Sequence, residues 1–132
     1  MEEKWYLKPV DNVNRMLRVR NDLTDEYIAS KFKNLLVVKH QYHIADDIMF
    51  PDPACLAFFT AFEQNHLEQL EEQGELLLAA VDIFEGNLRF FIYCDDPEET
   101  VYDCAAFLKD SSLYKCEFTV VLNDNSKALK EL

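Results

Sequence analysis

The sequence predicts an α+β fold, a ferredoxin-like split βαβ sandwich with an additional N-terminal β-hairpin. Three observations carry that expectation. From Leu35 onward the elements read strand, helix, strand, strand, helix, strand, the order in which two crossover helices cover one face of a four-stranded antiparallel sheet. The stretch Glu75 to Asp96, ELLLAAVDIFEGNLRFFIYCDD, holds two apolar runs whose Glu85-Gly86-Asn87 connection is short enough to make them antiparallel neighbours. Each long helix also carries a start signal, Asp52-Pro53 and Asp96-Pro97, because Asp caps orphan amides and Pro at the first helical position gives up no hydrogen bond.

Taken in order, Lys4 to Val10 reads as a strand around Trp5 and Leu7, and Asp11-Asn12-Val13-Asn14 is turn chemistry. Arg15 to Arg20 alternates cleanly, which suggests a hairpin whose Arg15, Arg18 and Arg20 face solvent or a partner. Asp22 to Lys33 contains Thr24 as N-cap and Tyr27, Ile28 and Phe32 at helical spacing. Leu35 to Tyr42, LLVVKHQY, is a core strand, followed by a loop over His43 to Phe50. The helix from Asp52 to about Gln73 carries its apolar stripe on Leu56, Phe59, Phe62, Leu67 and Leu70, so Glu63, Glu68, Glu71 and Glu72 are expected to face water. A capping box at Asp96 opens the second helix, which buries Val101, Ala105 and Leu108. Lys115 to Asn123 closes the sheet with Cys116, Phe118, Val120 and Leu122 on one face, and the polar tail 124–132 is expected to fray.

One domain fits the 132 residues, divided as hairpin and short helix 4–33, core 34–123 and tail 124–132. Two strands of the core are apolar on both faces, so the face away from the helices needs a cover. The N-terminal hairpin and short helix are expected to provide it, with a homodimer as the alternative.

Charge is unevenly placed. Residues 1–50 carry eight positive and eight negative side chains, and residues 51–132 carry five and 17, so the net charge of −12 lies wholly in the second part. Such a surface repels nucleic-acid backbones and anionic lipid and attracts a basic protein partner, while also serving solubility. The expected partner-binding residues are Glu63, Glu68, Glu71, Glu72, Glu98 and Glu99. The start Met1-Glu2-Glu3-Lys4-Trp5 lacks the basic and apolar regions of a signal peptide, and no apolar run approaches the roughly 20 residues that span a bilayer. A cytoplasmic setting is expected, with Cys55, Cys94, Cys104 and Cys116 as buried thiols.

Few residues carry chemistry. His40 and His43 with Asp46, Asp47 or Asp82 are the candidates for an acid/base site, although residues three apart on a strand point to opposite faces. Asp82 in an apolar strand pairs most economically with Arg89 across the hairpin, and His66 on the first long helix reads as a packing residue. Asp95-Asp96 and Glu98-Glu99 are explained by the cap and first turn of a helix. No nucleophile motif, zinc spacing or glycine-rich phosphate loop occurs, so no cofactor or metal is expected. The aromatic run Arg89-Phe90-Phe91-Ile92-Tyr93 is similar to a strand of RNA-recognition domains, yet it lacks the flanking glycines.

The whole pattern, from the Trp5-Tyr6 strand through LLVVKHQY, the Phe50-Pro51-Asp52 loop and the acidic helix to AAVDIFEGNLRFFIYCDD, resembles the bacterial domain of unknown function 695 over most of residues 4–123. That resemblance implies no established activity. In layout the pattern is also similar to the acidic ferredoxin-like regulator of ribonuclease activity B, which implies a protein that binds and restrains a nuclease.

Overall fold

A six-stranded antiparallel sheet in the order β1-β2-β4-β5-β3-β6 organises the computed structural model, which describes residues 5–10, 15–42, 53–84, 86–109 and 115–132. The strands are β1 (Trp5–Lys8), β2 (Met16–Arg20), β3 (Asn34–Gln41), β4 (Leu76–Phe84), β5 (Asn87–Cys94) and β6 (Lys115–Val121). Helices α1 (Asp25–Lys31), α2 (Pro53–Phe62), α3 (Glu68–Glu72), α4 (Pro97–Leu108) and α5 (Lys127–Glu131) pack around it, and a π-helical turn, Glu63–Leu67, joins α2 to α3. The expected loop residues His43, Asp46 and Asp47 and the cap Asp52 lie outside the described residues.

Local chemistry sets the boundaries. Thr24 accepts a hydrogen bond from the Tyr27 amide to start α1, and Asp96 accepts one from the Glu99 amide to start α4. At the end of α3, Gly74 takes φ +79, and the amides of Gly74 and Glu75 return to the carbonyls of Glu71 and Leu70. This Schellman turn needs a left-handed residue and throws the chain directly into β4.

The centre of the sheet is apolar on both sides, as the doubly apolar runs require. A register shift between Leu78 and Ala80 in the β4–β5 ladder lets Leu76, Leu78, Val81 and Ile83 share one face, although the spacing changes between them. On that face Phe59 and Phe62 of α2, Leu67, and Cys104 and Leu108 of α4 pack against Leu36, Val38, Phe90 and Ile92. Each such apolar side chain contributes roughly 1.5–3 kcal/mol on burial. On the opposite face Ile28 and Phe32 meet Leu35, Leu77, Ala79, Phe91 and Tyr93, joined by Ala128, Leu129 and Leu132 of the C-terminal segment.

Three expectations about placement are corrected. The N-terminal hairpin lies flat in the sheet, with β2 pairing along β4 from Met16–Ile83 to Val19–Ala80. It therefore extends the sheet and covers neither face. The second face is covered by α1 and the supposedly frayed tail. Buried Tyr93 donates to Asp124 at 2.7 Å, and Ser126 Oγ donates to the Asp25 carbonyl at 2.9 Å. Leu56 is exposed although the apolar stripe included it, because the inward side of α2 runs through Cys55, Phe59 and Phe62. Val120 and Leu122 are also exposed, since β6 is an edge strand whose C-terminal end runs past the helices. No helix among the described residues is long and apolar enough to cross a membrane.

Candidate functional site

Two charged zones flank the apolar centre. The first begins with Asp82, which the alternation of β4 places away from α2 and α4, opposite Leu17 on β2 and Arg89 on β5. Its side chain is fully buried. Arg89 donates to Oδ2 at 2.5 Å and Arg15 donates to Oδ1 at 2.9 Å, so both oxygens meet a guanidinium. Lys39 stands opposite Arg89 on β3 and pairs with Glu117 on β6, its other neighbour, at 3.2 Å. The result is a row of charged residues straight across four strands, with each cation matched to an acid.

On the helix side of β2 the same matching recurs. Arg18 reaches both carboxylate oxygens of Glu63, at 2.5 and 3.3 Å. Arg20 donates to Asp22, to Glu71 at 2.8 Å and to the Leu78 carbonyl. Both guanidiniums also lie over the Trp5 ring, at 4.9 and 5.6 Å from its centroid. Glu63 is only 8% exposed because it stands four residues after Phe59 and eight after Cys55, on the inward side of the helix where the π-helical turn begins.

The second zone gathers where the Schellman turn meets the head of α4. Glu75, Asp95, Asp96, Glu99 and Asp103 line one cleft of about 180 Å³. Glu98 lines the adjacent cleft with Asp95 and Asp96. Among the described residues, Glu72, Glu75, Asp95, Glu98 and Glu99 are exposed and none is in an ion pair. Together these exposed acids form an acidic pole.

The histidine candidates separate. His40 is 1% exposed on the helix face of β3, ringed by Phe59, Phe62 and Phe90 with centroids 4.6–5.8 Å away, and neither ring nitrogen has a hydrogen-bond partner among the described residues. Burial lowers its pKa to about 4. Asp82 lies on the other side of the sheet, so an acid/base pair of His40 with Asp82 is not formed. His66 is a packing residue as expected, stacked on Phe62 and Phe107. No group of three or more His, Cys, Asp or Glu residues among the described positions is arranged to hold a metal.

The four cysteines are free, and burial raises the thiol pKa of Cys94, Cys104 and Cys116, that of Cys104 to about 12. Cys94, Cys104 and Cys116 therefore remain protonated and poorly nucleophilic.

Of the acids expected to meet a partner, the structure leaves Glu72, Glu98 and Glu99 exposed and Glu68 half-buried. Glu63 and Glu71 are corrections, because Arg18 and Arg20 occupy them. These contacts, with that of Arg15 to Asp82, correct the expectation that Arg15, Arg18 and Arg20 face solvent or a partner. Glu75, Asp95 and Asp103 were missed as members of the pole. Asp95 had a signal in its place beside the Asp96 cap, whereas Glu75 and Asp103 meet it only through folding.

Compared with known families, the chain belongs to DUF695, a family of unknown function, whose model matches residues 3–127. No curated protein and no solved structure matches it.

Proposed function

We propose that this member of DUF695 is a non-enzymatic interaction domain that docks a basic protein on the acidic pole, as an inhibitor of a nuclease or toxin would. One observation carries this reading: the acids on the β2 side of the sheet are neutralised within the chain, while those around the α4 head are unpaired. Exposed charge of one sign raises the association rate with an oppositely charged partner and discriminates against acidic ones. The pole costs little in stability, since exposed acids repel one another only weakly through water and salt. The strand order β6-β3-β5-β4, with α2 and α4 on one face, supports a ferredoxin-like plan for the core. Four free thiols support a reducing compartment such as the cytoplasm.

The competing reading, a small enzyme built on His40, is opposed by its fully apolar setting and by the sheet between it and Asp82. His43 and Asp46 lie outside the described residues.

Affinity capture from native lysate at low and high salt tests the docking reading, using the wild-type chain beside a variant carrying Glu98→Lys and Glu99→Lys. The expected result is a basic protein retained at low salt, released at high salt and lost by the variant. Identical, salt-insensitive capture by both chains contradicts it.

A further inference from the structure

The two edges of the sheet are finished differently. β1 is four residues long and is followed by Pro9, which has no amide hydrogen to offer an added strand. β6 is seven residues long, ends the strand order, and carries neither Pro nor a bulge against β3. Its C-terminal end leaves Val120 43% and Leu122 66% exposed.

These residues border a cleft of about 790 Å³ between the end of β6 and the first turn of α4. The apolar lining is Val101, Pro97, Val120 and Leu122, and the rim is Asp95, Asp96 and Glu98. Asn34 ties the two walls together: its side-chain amide donates to the Asp95 carbonyl at 3.1 Å, and its side-chain oxygen accepts from the Asn123 amide at 2.9 Å. The cleft is thus preformed, of the volume typical of ligand sites, and joined to an open backbone edge.

We infer that this cleft and the outer edge of β6 bind an extended segment of a partner protein that carries apolar residues and Lys or Arg on the same face. The segment adds as a seventh strand. Its backbone pairs with β6, its apolar side chains on the helix side rest on Val101, Val120 and Leu122, and a cation on that same face, nearer the head of α4, meets Asp95, Asp96 and Glu98. Charge selects this occupant. An acidic segment would be repelled by Asp95, Asp96 and Glu98. The inference rests on the docking reading above and names where on the acidic pole a basic partner engages.

The probe is a fluorescein-labelled heptapeptide with leucine at positions 3 and 5, lysine at positions 1 and 7 and threonine between them, so that leucine and lysine share one face; it is titrated into the full chain and read by anisotropy. Amide hydrogen exchange over residues 115–121 follows β6 in the same mixtures. Leu122→Lys and Glu98→Lys alter exposed side chains of the cleft, whereas Glu72→Lys with Glu75→Lys alters acids outside it; circular dichroism confirms that each variant is folded. The expected result is at least a tenfold loss of affinity in each cleft variant, less than a threefold loss in the variant outside the cleft, and slowed exchange in β6 when peptide binds. A peptide with proline at its central position should bind at least tenfold more weakly.

Binding that is salt-sensitive but weakened mainly by Glu72→Lys with Glu75→Lys, or that leaves β6 exchange unchanged, overturns the cleft while leaving the docking reading standing. Binding indifferent to salt and to every variant overturns both. Sedimentation showing a dimer that Leu122→Lys dissociates assigns the edge to a second copy and overturns the peptide proposal.

Discussion

On the β2 side of the sheet, Asp82, Glu63 and Glu71 each meet an arginine, whereas at the head of α4 Glu98 and Glu99 face water with no ion pair. The same residue type does opposite work in the two places. At the first, charge is consumed in joining elements: Arg15 and Arg89 converge on one carboxylate, and Arg18 and Arg20 fasten the helical segment from Glu63 to Glu71 onto β2. At the second, charge stays available to another molecule. Net charge alone therefore overstates the docking surface, and the ion pairs show which acids belong to it.

Substitutions should separate the two zones by the size of their effect on stability. Asp82→Asn leaves two guanidiniums facing a neutral side chain, and removing one partner of a buried pair typically costs about 3–5 kcal/mol. Urea unfolding of the variant should show a loss of that order, and a change under 1 kcal/mol would mean that Asp82 is not the anchor its contacts suggest.

Acid should act through the apolar helix face. Because the folded pKa of His40 is depressed to about 4 from 6.5, the unfolded chain binds more protons between those values. Stability is then full above pH 6.5 and falls as the pH drops towards 4, by about 3 kcal/mol at 1.36 kcal/mol per pKa unit. His66, whose pKa burial also lowers, adds a contribution of the same sign. Unfolding curves across this range should be less pH-dependent in His40→Leu than in the wild type, and equal slopes would remove His40 as the cause.

Glu63→Gln weakens the contact with Arg18 at a partly exposed site. A loss of about 1.5–3 kcal/mol is expected from a charge-assisted hydrogen bond, measured by thermal melting. The smallest effect belongs to the pole, where Glu98→Gln with Glu99→Gln should cost no more than about 1 kcal/mol, the helix-dipole contribution of two exposed first-turn acids. A large loss there would erase the contrast between the zones.

Much of this arrangement was legible before folding, for local reasons. The short turn at Gly86 brings Asp82 and Arg89 opposite one another, and Asp96-Pro97 begins a helix wherever it occurs with an apolar face behind it. Partners distant in sequence were not legible. Nothing around Arg15 indicates that it shares Asp82, because that depends on β2 joining β4 edge to edge. Glu63 was misplaced because the apolar stripe was drawn through Leu56, whereas the inward side runs through Cys55 and Phe59, and Glu63 follows them at helical spacing. The docking of the tail depends on Tyr93 and Asp124, 31 positions apart. The exposed end of β6 had a visible cue in Val120, Val121 and Leu122, but whether a helix covers a strand end is a property of the packed molecule.

The most direct test is the salt dependence of binding to a basic partner, compared between Glu98→Lys with Glu99→Lys and Glu63→Gln. If the unpaired pole is the docking surface, the first variant loses binding and its salt dependence while remaining folded, and the second binds normally despite its weakened contact with Arg18. If instead Glu63→Gln abolishes binding in a folded chain while reversing the pole charges leaves it intact, the docking surface lies at the paired zone and the division of labour proposed for the two zones is wrong.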